Sequence, residues 1–309
     1  MAPIATYVFF DLETTGLPVE ENNKTKITEL SMVAVKRAHL LETRPGAVPR
    51  VQHKLTLLFN PGRLISTQGS KITGLDNFLL EHEPTFNREV FDLINNFLNI
   101  LEKPVCLIAQ NGLHFDYPLL KNHLEKLKVQ FSEDLLCADC YHGFYDILEA
   151  RKIANVPVQE ATTSKLEDIP VKERCAITDQ DTTLKSTPSE EVELFTLANT
   201  LTMKVMNETT PRQQKTNMNY KDDRNRVSKA RRRMPFSNGN KPTEKYKLKD
   251  IYERVLNRQA IEAHRAENDC ILALEVAVAL GREFVEWVDE NYVLFSEVNA
   301  MKLGVPIGS

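Results

Sequence analysis

An apolar run that ends in two carboxylates constrains this chain more than any other feature. Residues 4–10 are apolar, β-branched or aromatic apart from Thr6, and a continuous run of this kind reads as a central strand buried on both faces. Asp11-Leu12-Glu13 follows at once. On a strand, side chains two apart share a face, so both carboxylates project together from the end of a buried strand. Two like charges placed there repel each other unless a cation lies between them. Thr14-Thr15-Gly16 comes next, a polar turn that a substrate backbone can approach closely. Taken singly, the pair also fits two solvated carboxylates in a turn.

The elements around this strand point to an α/β fold. Residues 27–41 and 51–59 read as two further strands, and Pro45, Gly46 and Pro49 between them mark a hairpin. Phe86, Val90, Phe91, Ile94, Phe97, Leu98 and Leu101 form one helical stripe. Residues 105–109 make a short buried strand, and 116–127 a helix that tolerates Pro118 in its first turn. Residues 135–138 read as the last strand, followed by a helix from about 144 to 153. Strands alternating with helices after an opening hairpin predict a mixed sheet flanked by helices.

The pattern dissolves over residues 158–242 into Thr, Ser, Asn, Gln and charge. Such composition cannot offset chain entropy by burial, so this segment is expected to be a long, largely disordered polar and basic insertion. A partly apolar patch at 192–205 is the one candidate helix within it. Order is expected again at 246–256, 266–280 and 283–298, the last holding the only tryptophan, Trp287. One domain would then comprise residues 1–157 and 243–309. The net charge of −4 argues against a protein that simply coats nucleic acid, yet residues 212–249 carry thirteen basic and three acidic side chains, a net of +10.

Five scattered cysteines make no disulfide framework, and the lone Cys137-x-x-Cys140 has no second pair to complete a zinc site. Neither a secretory signal nor an apolar run long enough to span a bilayer is visible, so the expectation is a protein that is not secreted and has no transmembrane anchor.

Two more segments carry chemistry. Asp116 closes Gln110-Asn111-Gly112-Leu113-His114-Phe115-Asp116, after a strand and at the start of a helix, where Asp is also a favoured N-cap. His264 and Asp269 open an apolar helix, a place where either would ordinarily serve the helix terminus. Together the residues mean more. Oxygen ligands from separate segments, without cysteine ligands, suit magnesium or manganese rather than zinc. Two such ions about 4 Å apart stabilise the attacking and leaving oxygens of a phosphodiester. An imidazole, which titrates near neutral pH, can take the proton of the attacking water.

Phe10-Asp11-Leu12-Glu13-Thr14-Thr15-Gly16-Leu17-Pro18, then Asn111-Gly112 with Asp116, then His264-x-Ala266-x-x-Asp269 resemble, in order, the three motifs of the DEDDh exonucleases. Thr28-Glu29-Leu30, Asn60-Pro61-Gly62, Ile72-Thr73-Gly74-Leu75 and Leu248-Lys249-Asp250-Ile251-Tyr252 resemble the intervening sequence of the three-prime repair exonucleases (TREX). The likeness covers about residues 5–157 and 243–295. It implies a ribonuclease-H-like fold with a five-stranded mixed sheet, release of mononucleotides from DNA with a free 3′ end and, as in the animal enzymes, a homodimer. Asp11, Glu13, Asp116 and Asp269 match the metal ligands, for two Mg2+ ions with Mn2+ as a substitute, and His264 matches the general base. Residues Thr14, Thr15 and Gly16 would hold the terminal nucleotide, with Asn111 and Phe115 beside the substrate. Leu17 and Ile72 match residues that pack on the last bases.

The chain departs from the family in three places. Phe115 stands where the family usually carries Tyr, so a hydroxyl contact to the scissile phosphate would be missing. The Pro-rich segment and membrane tail of the longer mammalian form are not found. The 158–242 segment is far longer than the equivalent mammalian loop. Lys229-Ala230-Arg231-Arg232-Arg233 resembles a nuclear-import patch, which adds the nucleus to the cytoplasm as an expected location. Two other readings remain on the motifs alone: an RNA-trimming relative, and a catalytically silent nucleic-acid-binding module.

A flexible basic tether raises local DNA concentration and adds salt-sensitive binding. Deleting about residues 160–240 is therefore expected to leave turnover of a short oligonucleotide unchanged, raise KM on long DNA and flatten its salt dependence. An identical salt slope for the two proteins would refute the tether.

Overall fold

The computed structural model describes residues 2–154, 244–261 and 264–305, all within one unit of the chain. The apolar run becomes β1 (Thr6–Thr14), in which Tyr7, Val8, Phe9, Phe10 and Leu12 are all buried. Each large apolar side chain so buried contributes about 1.5–3 kcal/mol, which anchors the strand that carries Asp11 and Glu13. β2 (Ile27–Lys36) pairs antiparallel with β1 on one side and with β3 (His53–Leu58) on the other. On β1's remaining side, β4 (Val105–Ala109) pairs parallel, and β5 (Leu136–Asp139) runs parallel to β4. Val293–Leu294 adds β6 antiparallel to β5, giving the order β3-β2-β1-β4-β5-β6. This is the expected ribonuclease-H-like mixed sheet, with six strands in place of five. The sixth is only two residues long, too short for any periodic signal.

Helices cover both faces. Val8, Phe10 and Leu12 pack with α3 (Arg88–Asn99) and α4 (Asp116–Leu127), while Tyr7 and Phe9 meet α5 (Cys140–Ala154), α6 (Leu248–Leu256), α7 (Ala266–Leu280) and α8 (Arg282–Asn291). Burial on both faces explains why β1 reads as a continuous apolar run rather than an alternating one. α7 is apolar almost all round, as a helix enclosed by others must be.

Three local expectations are corrected. The second strand stops at Lys36, and residues 37–42 turn into α1 (Arg37–Glu42), since only Leu40 of that segment finds a buried place. The two strands still pair, but across a helix and a turn rather than a tight hairpin. Residues 283–298 split into α8, β6 and a 3-10 turn (Phe295–Glu297). A short α2 (Thr67–Thr73), capped by Ser66 Oγ accepting from Gly69 N, has no buried residue and hence no apolar stripe to announce it. Cys137 and Cys140 are buried, unbridged thiols. The 192–205 patch and the 158–242 insertion lie outside the described residues. No helix among the described residues is long and apolar enough to cross a membrane.

Tyr117 ties α4 to the sheet. Its buried hydroxyl lies 3.0 Å from Leu107 O and 2.8 Å from Ala138 O, donating toward the carbonyls of two adjacent strands. Gly112 makes this approach possible, because a Cβ there would fall 2.6 Å from Ala109 Cβ and 2.8 Å from the Tyr117 ring. Tyr117→Phe is expected to lower stability by about 1–3 kcal/mol, as a buried acceptor is left unpaired. An unchanged denaturation midpoint would show that the hydroxyl contributes nothing.

Candidate active site

Strand alternation turns Asp11 and Glu13 to the same face as Tyr7 and Phe9, the side on which α7 packs. Register sets Asp11 opposite Ser31 and Glu13 opposite Glu29, and slips between Glu13 and Thr14. The chain therefore leaves the regular ladder immediately after the second carboxylate. The turn that follows is tightly held. Thr14 Oγ1 donates to Gly16 O, Thr15 Oγ1 to Glu21 Oε2, and Thr15 O accepts from Ser66 N at the start of α2. That last bond sets α2 against the turn, and each of the two segments presents an exposed aliphatic side chain, Leu17 and Ile72.

Asp116 occupies the first turn of α4 but is not its N-cap. Phe115 holds that position and makes no side-chain capping bond. The Asp116 carboxyl turns inward instead, where its Oδ1 is buried without a hydrogen-bond partner. Asp269 comes from the first turn of α7, where the helix's positive end favours a carboxylate. Its Oδ2 accepts from His264 N at 2.9 Å, which holds His264 in a left-handed conformation (φ 71°) just before the helix. The ligand atoms of Glu13, His264 and Asp269 all lie within 4.8 Å of one another, and the His264 ring is exposed.

The electrostatics show how closely the acids gather. The Asp11 carboxyl is held well above its usual range, first by burial and then by Asp116, Asp269, Glu13 and Glu29. Burial, then Asp269, Glu29 and Asp116, push Glu13 up to about 8. Asp116 is raised mainly by burial, with Asp139 and Asp269 adding to it and the backbone N–H groups of Asp116 and Leu12 opposing it. Asp269 is raised mainly by burial, with the bond from His264 N opposing it. Among the described residues no Lys or Arg forms an ion pair with any of the four. A site of hard oxygen donors, one of them an orphaned buried Asp116 Oδ1, fits divalent cations of the magnesium class.

Two supporting carboxylates escaped sequence reasoning. Glu29, fully buried on β2, accepts from Ala266 N at 3.3 Å and so docks the start of α7 beside Glu13. The signal was a carboxylate in the middle of an apolar strand. Asp139, at the end of β5, accepts from Asn111 N, Leu113 N and Tyr141 N at 2.9, 3.3 and 3.1 Å. It thereby shapes the turn before Asp116, including Asn111 at φ 61°. Burial pushes Asp139 up to about 6 against these bonds. Nothing in its local sequence sets it apart from an ordinary strand-end Asp.

The fold is ribonuclease-H-like, and residues 8–155 match the Exonuclease (RNase_T) family model. Three prime repair exonuclease 2 of Mus musculus is 39% identical over 141 residues, covering 43% of this chain and 58% of that protein. Three-prime repair exonuclease 1 of Bos taurus is 38% identical over 148 residues, 44% of this chain and 46% of that protein. The chain thus spans about half the length of the curated relatives it matches. Both matched relatives are three-prime repair exonucleases, and the similarity to them lies over less than half of this chain. The solved structure of cell-death related nuclease 4 (CRN-4) overlaps 52% of each chain at 15% identity and a TM-score of 0.37.

The raised carboxyls set a sign for stability. With Glu13 lifted from 4.5 to about 8, the folded protein holds that proton more tightly than the unfolded chain. This contribution is full below about pH 4.5 and is lost as pH rises through about 8. His114 and His123 are both lowered from 6.5, chiefly by burial, so their opposite effect is confined below that pH. Metal-free protein is therefore expected to lose stability between pH 6.5 and 8. Glu13→Gln should flatten this slope, and added Mg2+ should restore the loss. Equal slopes for wild type and variant in melts with EDTA would contradict it.

Proposed function

We propose that this protein is a metal-dependent 3′→5′ DNA exonuclease that releases nucleoside monophosphates from a free 3′ end, in DNA repair or degradation. The observation that carries the reading is the gathering of Asp11, Glu13, Asp116 and Asp269 around one point with His264 beside them. Two divalent cations, Mg2+ or Mn2+, held by the four carboxylates would supply the positive charge that the attacking and leaving oxygens of the phosphodiester require.

The chain's own residues do the rest. An imidazole nitrogen of His264, on an exposed ring next to Glu13 and Asp269, accepts the proton of the attacking water. The Thr14–Gly16 backbone, fixed by its bonds to Glu21 and Ser66, supports the terminal nucleotide. Leu17 and Ile72 offer apolar surface to the last bases, which accounts for two large aliphatic side chains standing in solvent. Asn111 is exposed at the rim and Phe115 half-buried beside Asp116. Phe115 brings no hydroxyl, so phosphate contact there falls to other groups.

DNA is favoured over RNA by the family likeness: the matched relatives are named three-prime repair exonucleases. A homodimer belongs to the same proposal, and β3 leaves one edge of the sheet open to a partner strand. Residues 1–157 and 243–309 form the exonuclease domain in this reading, acting in the nucleus or cytoplasm.

The decisive assay offers a 5′-labelled DNA strand and its RNA counterpart, each with and without Mg2+. Shortening of DNA alone, and only with metal, is expected. Equal shortening of RNA would transfer the protein to the RNA-trimming relatives, and no shortening of either would support a silent binding module. Asp11→Asn and Asp269→Asn should abolish hydrolysis while the metal-free melting temperature holds or rises, because a like-charge repulsion is relieved. His264→Ala should slow single-turnover cleavage by about 10²–10⁴-fold with little change in DNA affinity. Normal turnover with lost stability would instead make His264 a helix-terminus residue.

A further inference from the structure

A second cluster of metal-ligating side chains is built on the turn before Asp116. His114 comes from the loop between β4 and α4, Asp139 from the last position of β5, and His142 from the first turn of α5. Their ligand atoms all lie within 4.8 Å of one another, and the two imidazole rings are 6.5 Å apart between centroids. Asp139 and His142 are buried, while His114 is half-buried and gives the cluster a route to solvent.

The chemistry of these three differs from that of the acidic site. Three backbone N–H groups hold the Asp139 carboxylate in place without neutralising it, and no Lys or Arg forms an ion pair with it among the described residues. Two imidazole nitrogens and one carboxylate oxygen are a borderline-soft donor set, which suits zinc and leaves a fourth position for water. Zinc bonds of about 2.1 Å place tetrahedral ligands about 3.4 Å apart, so ring rotations that move the ligand atoms by about an ångström close the present spacing.

We propose that His114, Asp139 and His142 form a second metal site, specific for Zn2+ and separate from the carboxylate cluster. An ion there ties the 110–115 loop to the start of α5. That loop carries Asn111 and runs directly into Asp116, so the ion acts as a clamp on the turn that positions a catalytic carboxylate. Asp139 already bridges the same two segments through its hydrogen bonds, and the ion adds two side chains to that bridge.

The test uses the full chain carrying Asp11→Asn and Asp269→Asn, which disables the acidic site. Titration with Zn2+ by calorimetry, and with Co2+ followed by its visible absorption, should show one ion per chain and a Zn2+-dependent rise in melting temperature. Adding His114→Ala, at a half-exposed position that folding tolerates, should weaken Zn2+ by about 100-fold or more, since even outer-shell partners are worth about 10–100-fold. His142→Gln should do the same, with circular dichroism confirming that it folds. Unchanged Zn2+ affinity in His114→Ala would overturn the proposal. So would loss of Zn2+ binding in the Asp11→Asn/Asp269→Asn protein, which would place the ion in the acidic cluster, or a failure of that protein to bind Zn2+ at all.

Discussion

Repulsion among carboxylates that burial deprives of water is the interaction around which this structure is organised. Asp11, Glu13, Asp116 and Asp269 converge from β1, α4 and α7 at one end of the sheet, and each is raised by burial, with neighbouring acids adding to the shift. Separated, each would ionise readily. Held together, they resist ionisation until positive charge arrives. A protein maintains such an arrangement only if the rest of its fold is stable enough to absorb the cost, and the wide apolar core on both faces of β1 provides that.

The means of holding the acids are mostly backbone hydrogen bonds to further carboxylates. Glu29 receives Ala266 N and Asp269 receives His264 N, so the start of α7 is fixed from both sides. Asp139 receives three N–H groups across the turn before Asp116, and Tyr117 reaches two strand carbonyls one residue beyond it. Away from the acids, Tyr252 donates to Glu275 and Arg258 pairs with the same carboxylate, fastening α6 to α7. The acids therefore stand on rigid elements whose ends are tied by further hydrogen bonds, the arrangement that positions a metal or a proton acceptor within narrow limits.

Two donor sets of different character flank the Asp116 turn. One is all oxygen apart from His264 at its rim, the other two imidazoles and a carboxylate. Hard cations and zinc are sorted between such sites by ligand type rather than by affinity alone. The turn thus links the element that carries Asp116 to a cluster able to stiffen it.

Much of this was legible in the chain. The apolar run that becomes β1, the two-residue spacing of Asp11 and Glu13, and the stripe of α3 are local consequences of side-chain period, which sequence states directly. The order of the three motifs did the same for Asp116, His264 and Asp269. What remained hidden depended on partners distant in sequence. Glu29 meets Ala266 across 237 residues, and Asp139 meets Asn111 across 28. β6 exists only because β5 offers it an edge, and α2 buries nothing that would mark it. Asp116 looked like an N-cap and is not one, because the deciding contact is with the end of β1 rather than with its own helix. Sequence by itself determined which residues could be strand, helix and ligand, since those follow from local geometry. Only the tertiary structure decided which carboxylates face one another and which merely hold the backbone, since charge repulsion and burial act through space.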